Sequence, residues 1–256
     1  MTFRRSSLFL FVLSVFLFGC QPTTKSTPSR STPLGLPPTE TVAPSPEGTA
    51  VPGSSLLTLA PTAFPSLRNF TEEFDSYSPY WSIFAANGSY PDVQLRDGFL
   101  VFNLAKTNTW ADTVYNAQTY QNVRVDAQVE VRSGNDGTVG IVCRYSPTNG
   151  WYEFNIYADQ TYTIMYGQWL SQGIARYMPL HITGSEKIKT GANQIGLVCQ
   201  GDALTPYINN VRMITYEDNK VGLKDGNVGL TASSFSDVPF VAAFDWVKVS
   251  TPPVTP

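Results

Sequence analysis

The feature of this chain that most constrains its fold is a strict alternation of apolar and polar residues over residues 123–132. The apolar set occupies every second position: Val123, Val125, Ala127, Val129 and Val131. The residues between them are charged or carry a side-chain amide. A period of two places the two sets on opposite faces of an extended strand, so the segment predicts an antiparallel strand with one buried and one solvated face.

Nine further runs have the composition of short strands, and no segment of the chain shows a sustained helical period. The runs are Phe99–Leu104, Val139–Tyr145, Trp151–Tyr157, Tyr162–Tyr166, Gln194–Gln200, Leu204–Ile208, Val211–Thr215, Val228–Thr231 and Val241–Val249. Turn-forming residues separate many of them, and Asn209-Asn210 predicts a two-residue hairpin because both asparagines tolerate positive φ. Many short strands joined by such turns predict an all-β sandwich or barrel.

The central predicted hairpin joins two of these runs through Asn149-Gly150. We predict its register by pairing Tyr145 with Tyr152, which leaves the apolar residues of both runs on one face. The other face then carries three polar residues: Arg144, Glu153 and Asn155. In this register Arg144 lies opposite Glu153, so the two side chains either line a groove or form a cross-strand ion pair.

Two cysteines, Cys143 and Cys199, lie at apolar positions of separate predicted strands. Outside the cytoplasm a lone pair of cysteines is oxidised where the geometry allows, so we predict a disulfide between them. The loop that it would close corresponds to about 4 kcal/mol in the chain-entropy description. The alternative is a pair of buried free thiols on strands that are not adjacent.

The chain begins with a basic segment, an apolar run over residues 8–18 and the pair Gly19-Cys20. This order is typical of a bacterial secretory signal that ends in a lipobox, with Cys20 as the lipidated residue. The apolar run is shorter than the about 20 residues that a transmembrane helix needs. The sequence therefore predicts a signal peptide over residues 1–19 and an extracytoplasmic protein anchored to the bacterial cell membrane by lipid at Cys20. The alternative is an ordinary signal peptide cut near Gly19.

Residues 20–66 are predicted to hold the lipidated cysteine and a disordered tether. Of the 46 residues over 21–66, 26 are Pro, Ser or Thr, and such a segment cannot bury enough apolar surface to offset its ordering entropy. One domain is predicted to follow over residues 67–251, with a short tail over 252–256. The net charge of −3 and only 17 Lys plus Arg argue against a nucleic-acid partner, which needs a basic face.

Several short motifs of the domain follow one another in a characteristic order. They are Asp97-Gly98-Phe99-Leu100, Gly140-Ile141-Val142-Cys143-Arg144-Tyr145, Trp151-Tyr152-Glu153-Phe154, Gly226-Asn227-Val228-Gly229-Leu230 and Phe244-Asp245-Trp246-Val247. In this order the chain resembles the concanavalin A-like, laminin-G-like domains that are related to the 3-keto-disaccharide hydrolases and the family-16 glycoside hydrolases. The resemblance implies a two-sheet antiparallel jelly-roll sandwich with ligands on a concave face or on rim loops.

The strand motif Glu-x-Asp-x-x-Glu, which supplies the carboxylates of the family-16 glycosidases, is absent. Asp126 and Glu130 are the nearest approach, but residues four apart in a strand lie roughly 13 Å apart, beyond the about 5–9.5 Å of glycosidase pairs. The sequence therefore assigns no catalytic residue and favours a protein that is not an enzyme. The alternative is a glycoside or 3-keto-glycoside hydrolase, which would draw on Glu153 or Glu130.

Two tryptophans, Trp151 and Trp169, lie in or beside predicted loops. Aromatic rings stack on the C–H faces of sugars, while polar neighbours orient the hydroxyls. We therefore predict a site for a polysaccharide or oligosaccharide built from Trp151, Trp169, Arg144, Glu153 and Asn155. Two alternatives stay open: the tryptophans cap the ends of the core, or the domain is a structural or adhesion module without a small-molecule site.

The resemblance also implies a structural calcium ion, since related jelly rolls often hold one where the two ends of the domain meet. The matching oxygen ligands would be Asp75 or Glu73 together with Asp245. The alternative is that these acids are solvated and bind no metal ion. No motif of the sequence requires a cofactor.

Overall fold

The computed structural model describes residues 68–86 and 91–252 of the chain. The predicted signal peptide, the predicted lipidation site, the predicted tether and all but the first residue of the predicted tail lie outside the described residues. The described part contains β-strands and no α-helix, as the sequence predicts. It therefore also contains no helix long and apolar enough to cross a membrane.

Sixteen strands make up the described part of the chain. Their bounds are β1 Phe70–Glu72, β2 Trp81–Ala85, β3 Asp92–Arg96, β4 Phe99–Leu104, β5 Thr109–Tyr120, β6 Val123–Ser133, β7 Gly137–Ser146, β8 Gly150–Tyr157, β9 Thr161–Ser171, β10 Ile174–Gly184, β11 Ala192–Gln200, β12 Ala203–Ile208, β13 Val211–Arg212, β14 Tyr216–Glu217, β15 Gly226–Ser234 and β16 Phe240–Ser250. Eight of the nine predicted runs and the alternating segment fall on strands, whereas the run Val211–Thr215 is a strand only over Val211–Arg212. The sequence patterns do not predict β1, β2, β3, β5, β10 and β14.

The strands form two antiparallel sheets. The nine-stranded sheet follows the path β13-β12-β11-β6-β16-β4-β3, with β1 also paired to β16 and β14 to β12. The seven-stranded sheet has the order β10-β9-β8-β7-β15-β5-β2. The main hydrophobic core lies between the two sheets, so the predicted jelly-roll sandwich is confirmed.

The alternating segment forms β6, at the centre of the nine-stranded sheet between β11 and β16. Four of its five apolar residues are fully buried in the core: Val123, Val125, Ala127 and Val129. Pairing on both sides fixes the register, with Ala127 opposite Ile195 in β11 and Val247 in β16. The alternation is clear in the sequence because one face of β6 meets the core while the other meets solvent.

A disulfide joins Cys143 to Cys199, with 6.9 Å between the two Cα atoms, as the sequence predicts. Cys143 belongs to β7 in the seven-stranded sheet and Cys199 to β11 in the nine-stranded sheet. Both side chains are fully buried. The bond therefore crosses the core and ties the two sheets together.

The predicted register of the central hairpin is wrong by two residues. Tyr152 pairs with Cys143, not with Tyr145, and Glu153 pairs with Val142. A shift of two keeps every side chain of the paired segments on its face, so the apolar pattern cannot detect it. The shift comes from a bulge between Cys143 and Ser146, in which Arg144 adopts a positive φ of 54°.

The second predicted hairpin is confirmed. Asn209 and Asn210 have φ values of 49° and 65°, and the turn pairs Ile208 with Val211. Positive φ at both central residues gives a turn whose twist matches that of the flanking strands. Local chemistry determines this turn, whereas the bulge in the central hairpin depends on what Arg144 contacts elsewhere.

Candidate functional site on the seven-stranded sheet

The site lies on the outer face of the seven-stranded sheet, which points away from the main core. Ala111 and Tyr115 of β5 belong to the core, so Asp112 between them points outward. In β8, Tyr152 and Phe154 belong to the core, so Glu153 and its neighbours two residues away point outward. The sheet pairing therefore brings polar residues of separate strands onto one surface.

One row of residues crosses this outer face from β5 to β8. It consists of Asp112, Thr231, Gly140 and Asn155, each opposite the next in the paired strands. At Gly140, an added Cβ would lie 2.1 Å from the side-chain oxygen of Asn155. A side chain there would displace Asn155, so glycine keeps space for the polar groups beside it.

Aromatic rings from strands near the two opposite edges of the sheet meet over its outer face, above this row. Trp110 in β5 and Tyr177 in β10 lie five strands apart, about 24 Å on a flat sheet, yet their ring centroids are 5.5 Å apart. Phe84 in β2 and Trp169 in β9 are also five strands apart, with ring centroids separated by 5.9 Å. The outer face is therefore strongly concave, and rings from its two rims bridge it.

Five half-buried rings make up this bridging layer, which we call the aromatic roof: Phe84, Trp110, Tyr145, Trp169 and Tyr177. Phe84 stacks on Tyr145 with 4.5 Å between ring centroids. The bulge at Arg144 turns Tyr145 toward this cluster instead of the main core. Each ring keeps part of its surface accessible, so the roof offers an aromatic platform to solvent.

Trp151 lies beneath the roof and is fully buried. Its ring centroid is 4.8 Å from that of Trp169, 5.2 Å from that of Phe84 and 5.8 Å from that of Tyr177. A Cβ added at Gly167 would come within 2.3 Å of the Trp151 ring. Only glycine at this position allows the ring to lie flat against β9.

Below the roof lie two buried carboxyl groups, Asp112 and Glu153, which we call the acid pair. Glu153 accepts hydrogen bonds from Trp151 Nε1 at 2.6 Å and from Asn155 Nδ2 at 2.9 Å. Neither carboxyl oxygen of Asp112 has a hydrogen-bond partner of ordinary geometry among the described residues, although the Thr231 side chain lies beside it. The two acids therefore have different surroundings.

Burial raises the pKa of Asp112 well above its usual value, the charge of Glu153 raises it further, and the Thr231 hydroxyl opposes both effects. Burial also raises the pKa of Glu153, while the hydrogen bonds from Trp151 and Asn155 lower it. The ion pairs of the described residues join other acids to Arg or Lys and include neither member of the pair. Because only Glu153 receives two hydrogen bonds, the proton resides on Asp112 before Glu153.

Two more buried polar atoms in this region lack a hydrogen-bond partner among the described residues. They are the hydroxyl of Tyr177 and the side-chain oxygen of Asn155. Burial raises the pKa of Tyr177 well above its usual value, and the charges of Asp112 and Glu153 add to this effect. Since nearly all buried polar groups in proteins are satisfied, these atoms have unused hydrogen-bonding capacity beneath the roof.

The structure brings together four of the five residues predicted to bind a ligand. They are Trp151, Trp169, Glu153 and Asn155. Arg144 is not among them, because the bulge turns it away from Glu153. Its guanidinium donates to the backbone carbonyls of Leu223, Gln121 and Gly201, so the predicted groove role and ion pair are both wrong.

The remaining predicted residues lie elsewhere. Glu130 is exposed on the nine-stranded sheet, and its carboxylate lies 3.5 Å from Arg132 Nε. Because Glu153 belongs to the other sheet, the two acids cannot act together.

The two predicted calcium ligands, Asp75 and Asp245, are both exposed. Among the described residues no group of three or more His, Cys, Asp or Glu side chains is placed to hold a metal ion. These two acids are a poor ligand set by themselves, and the calcium ion stays a prediction.

Sequence reasoning did not identify Asp112 or the roof residues of β2, β5, β7 and β10. The missed residues are Phe84, Trp110, Asp112, Tyr145 and Tyr177. A signal existed in β5, where Trp110, Asp112 and Val114 alternate with Ala111, Thr113 and Tyr115. An acid inside such a strand-forming run indicates a specific role for that acid, since charged residues are rarely fully buried.

Two antiparallel sheets, one of them concave with aromatic and polar residues on its open face, define a concanavalin A-like jelly roll. The chain is similar in structure to a family-66 carbohydrate-binding module from Bacillus subtilis, with 12% identity and a TM-score of 0.50 over 67% of this chain and 96% of that one. A Bacillus subtilis protein of unknown function with a galectin-like fold matches at 10% identity and a TM-score of 0.52, covering 71% and 94% of the two chains.

A third similar structure is a mixed-linkage-glucan family-16 glycoside hydrolase from Bacteroides ovatus, in complex with a product. It matches at 10% identity and a TM-score of 0.50, covering 71% of this chain and 99% of that one. At these identities the likeness shows the fold. No protein-family model matches the chain, and no curated protein matches it in sequence.

Proposed function

We propose that the concave face of the seven-stranded sheet binds a polysaccharide or oligosaccharide. The observation that carries the proposal is the aromatic roof of half-buried rings, which lies directly over buried polar groups that lack partners. The carbohydrate-binding module and the glycoside hydrolase among the similar structures support it, since their names describe proteins that engage carbohydrate.

In this proposal the roof holds the sugar rings. Aromatic faces stack on the C–H faces of sugars, and a small number of polar groups below fix the orientation of the hydroxyls. Trp169 is anchored for this role because its Nε1 donates to the carbonyl of Ser146 at 3.1 Å. The same hydrogen bond leaves the ring face, not the polar edge, available to a ligand.

The experiment that tests the proposal is a titration of the full chain with neutral oligosaccharides, in which tryptophan fluorescence and calorimetry measure the affinity. We expect Trp169→Ala to weaken binding about tenfold or more, because it removes a stacking surface. Trp246→Ala is the matched control, since Trp246 is also half-buried but belongs to β16 of the other sheet. Equal affinities for the wild type and Trp169→Ala would contradict the proposal.

A second candidate function is glycoside hydrolysis. The presence of two carboxyl groups in the acid pair supports it. Glycosidases combine a protonated acid with an ionised carboxylate, and the surroundings of Asp112 and Glu153 separate them in this way. Chromatography of the titration mixtures detects shortened products. Products that persist in both Asp112→Asn and Glu153→Gln would exclude the acid pair as their source.

We also propose that the chain is a lipoprotein held at the bacterial cell membrane through Cys20. The support is the order of the basic, apolar and Gly19-Cys20 segments in the sequence. Two or more acyl chains anchor stably, whereas one binds only marginally. Fractionation tests this directly: the wild type should partition with membranes, and Cys20→Ser should not acquire lipid. Recovery of both in the soluble fraction would contradict the anchor.

A further inference from the structure

The acid pair lies among aromatic rings, and the described part of the chain provides it with no ion-pair partner. Asp112 interacts electrostatically with Glu153, and burial and, to a smaller extent, the charges of these acids raise the pKa values of Tyr145, Tyr157 and Tyr177. No Lys, Arg or His of the described residues forms an ion pair with either acid. A buried carboxylate without a cation is costly, so the acid pair, when ionised, lacks a compensating positive charge.

The buried oxygens near the acid pair also have fewer hydrogen-bond donors among the described residues than they could accept. Among the described residues, neither oxygen of Asp112 accepts a hydrogen bond of ordinary geometry, although the Thr231 hydroxyl lies beside it, and the buried side-chain oxygen of Asn155 has no donor. Glu153 already receives two hydrogen bonds and presents an ordered negative charge beside them. The site therefore needs a group with several N–H donors and a positive charge.

We propose that the acid pair beneath the aromatic roof binds a protonated amine, so that the cleft selects glycans with free amino groups. The inference rests on the proposed function and names the ligand class of that site. An ammonium group has three donors and no acceptor, which matches the unpartnered oxygens. The rings add attraction, because the negative electrostatic potential of an aromatic face stabilises a cation that lies over it.

The same arrangement disfavours other glycans. A carboxylate or sulfate group on the ligand would face two acids, so anionic glycans are repelled. A neutral hydroxyl can satisfy one acceptor, but it does not compensate a buried charge. Access to the acids requires the contact between Trp110 and Tyr177 to open, since these rings meet across the cleft. Binding should therefore change tryptophan fluorescence.

The test compares three β-1,4-linked hexasaccharides that differ only at carbon 2: those of glucose, N-acetylglucosamine and glucosamine. The full chain is titrated with each at a pH where the glucosamine amines are protonated. We expect the glucosamine hexamer to bind about tenfold tighter than the other two. Its affinity should increase as the acids ionise with rising pH and decrease once the amines lose their protons.

Two variants locate the preference. Asp112→Asn and Glu153→Gln remove the charges with little change in shape, and each should bring the ratio of the affinities for the glucosamine and glucose hexasaccharides close to one. Glu130→Gln is the matched control, because it removes the same charge from an exposed position on the other sheet. Circular dichroism and thermal unfolding of each variant establish that it is folded.

The outcomes separate the two proposals. Equal affinity for all three hexasaccharides overturns the amine preference and leaves glycan binding supported. The amine preference is also overturned if both Asp112→Asn and Glu153→Gln still bind the glucosamine hexamer more tightly than the other two. The preference would then arise outside the acid pair. Absence of binding by all three hexasaccharides and by the wider panel contradicts both proposals.

Discussion

At the scale of single residues, Arg144 shows how one side chain can decide local geometry. It is 1% exposed, and its guanidinium bridges the carbonyls of three separate segments. To reach them, the residue adopts a positive φ that creates the bulge in β7. The bulge in turn places Tyr145 in the aromatic roof, so a structural arginine helps to build the candidate site.

Asp218 is a second residue with a structural role. Burial would raise the pKa of this carboxyl, but hydrogen bonds from the Tyr152 hydroxyl and from the backbone N–H groups of Val221, Gly222 and Lys220 outweigh it and lower the pKa to about 2. A folded-state pKa below the unfolded value of about 3.9 means that the stabilisation is present above about pH 4. It is lost as the pH falls from about 4 to about 2.

We therefore expect Asp218→Asn to lower the free energy of unfolding by about 1–3 kcal/mol at pH 7, since charge-assisted hydrogen bonds are lost. At pH 2 the difference from the wild type should be much smaller. Urea unfolding at the two pH values measures both quantities. Glu217→Gln, at the exposed neighbouring position, is the control that should stay close to wild type. An equal loss at both pH values would contradict the role of the ionised carboxylate.

At the scale of elements, the concave sheet unites residues that no single strand contains. Asp112 comes from β5, Glu153 from β8 and Tyr177 from β10. Antiparallel pairing aligns them, and curvature brings the rims together. The site is thus a property of the sheet, and each strand supplies one or two side chains to it.

The acid pair predicts a pH dependence of stability with the opposite sign to that of Asp218. Because the folded-state pKa of Asp112 is raised, its contribution is fully present below about pH 4 and is lost as the pH rises toward the folded value. We expect the wild type to lose up to about 1.4 kcal/mol per pH unit in this range for each such group. Asp112→Asn should show a flatter profile.

Chemical unfolding between pH 4 and pH 8 measures this profile. Asp245→Asn, an exposed change of the same chemistry on the other sheet, should keep the slope of the wild type. A slope for Asp112→Asn that equals that of the wild type would show that Asp112 binds its proton no more tightly in the folded state. The glycan proposal does not depend on that result.

At the scale of the whole molecule, two sheets of different shape enclose the main core and one disulfide connects them. Removal of the bond by Cys143→Ala with Cys199→Ala should lower the free energy of unfolding by about 4 kcal/mol in the chain-entropy description. Guanidinium unfolding under oxidising conditions measures the loss. A second unfolding series with a reducing agent is the control. Reduction should destabilise the wild type and leave the stability of the double variant unchanged.

Much of the architecture could be predicted from the sequence. The alternation in β6, the turn at Asn209-Asn210 and the apolar positions of Cys143 and Cys199 depend on local patterning, and the structure confirms all three. These features can be predicted from the sequence because burial of one strand face imposes a period of two, while the backbone of a tight turn restricts its residue types.

The site itself was only partly predictable. Trp151, Glu153 and Asn155 share one face of β8, so their proximity follows from strand geometry alone. Asp112 joins them through the pairing of four strands and Tyr177 through sheet curvature, and no local pattern encodes either one.

The sequence by itself determined an all-β domain and its strand faces, because these depend on side-chain period and composition. It predicted the disulfide between Cys143 and Cys199 but left free thiols open, and the structure decided between them. Only the tertiary structure decided the two-residue shift of the central hairpin, the removal of Arg144 from the groove and the aromatic roof over the acid pair. The reason is physical: a shift of two preserves every face, and contacts between rims arise from the curvature of the whole sheet.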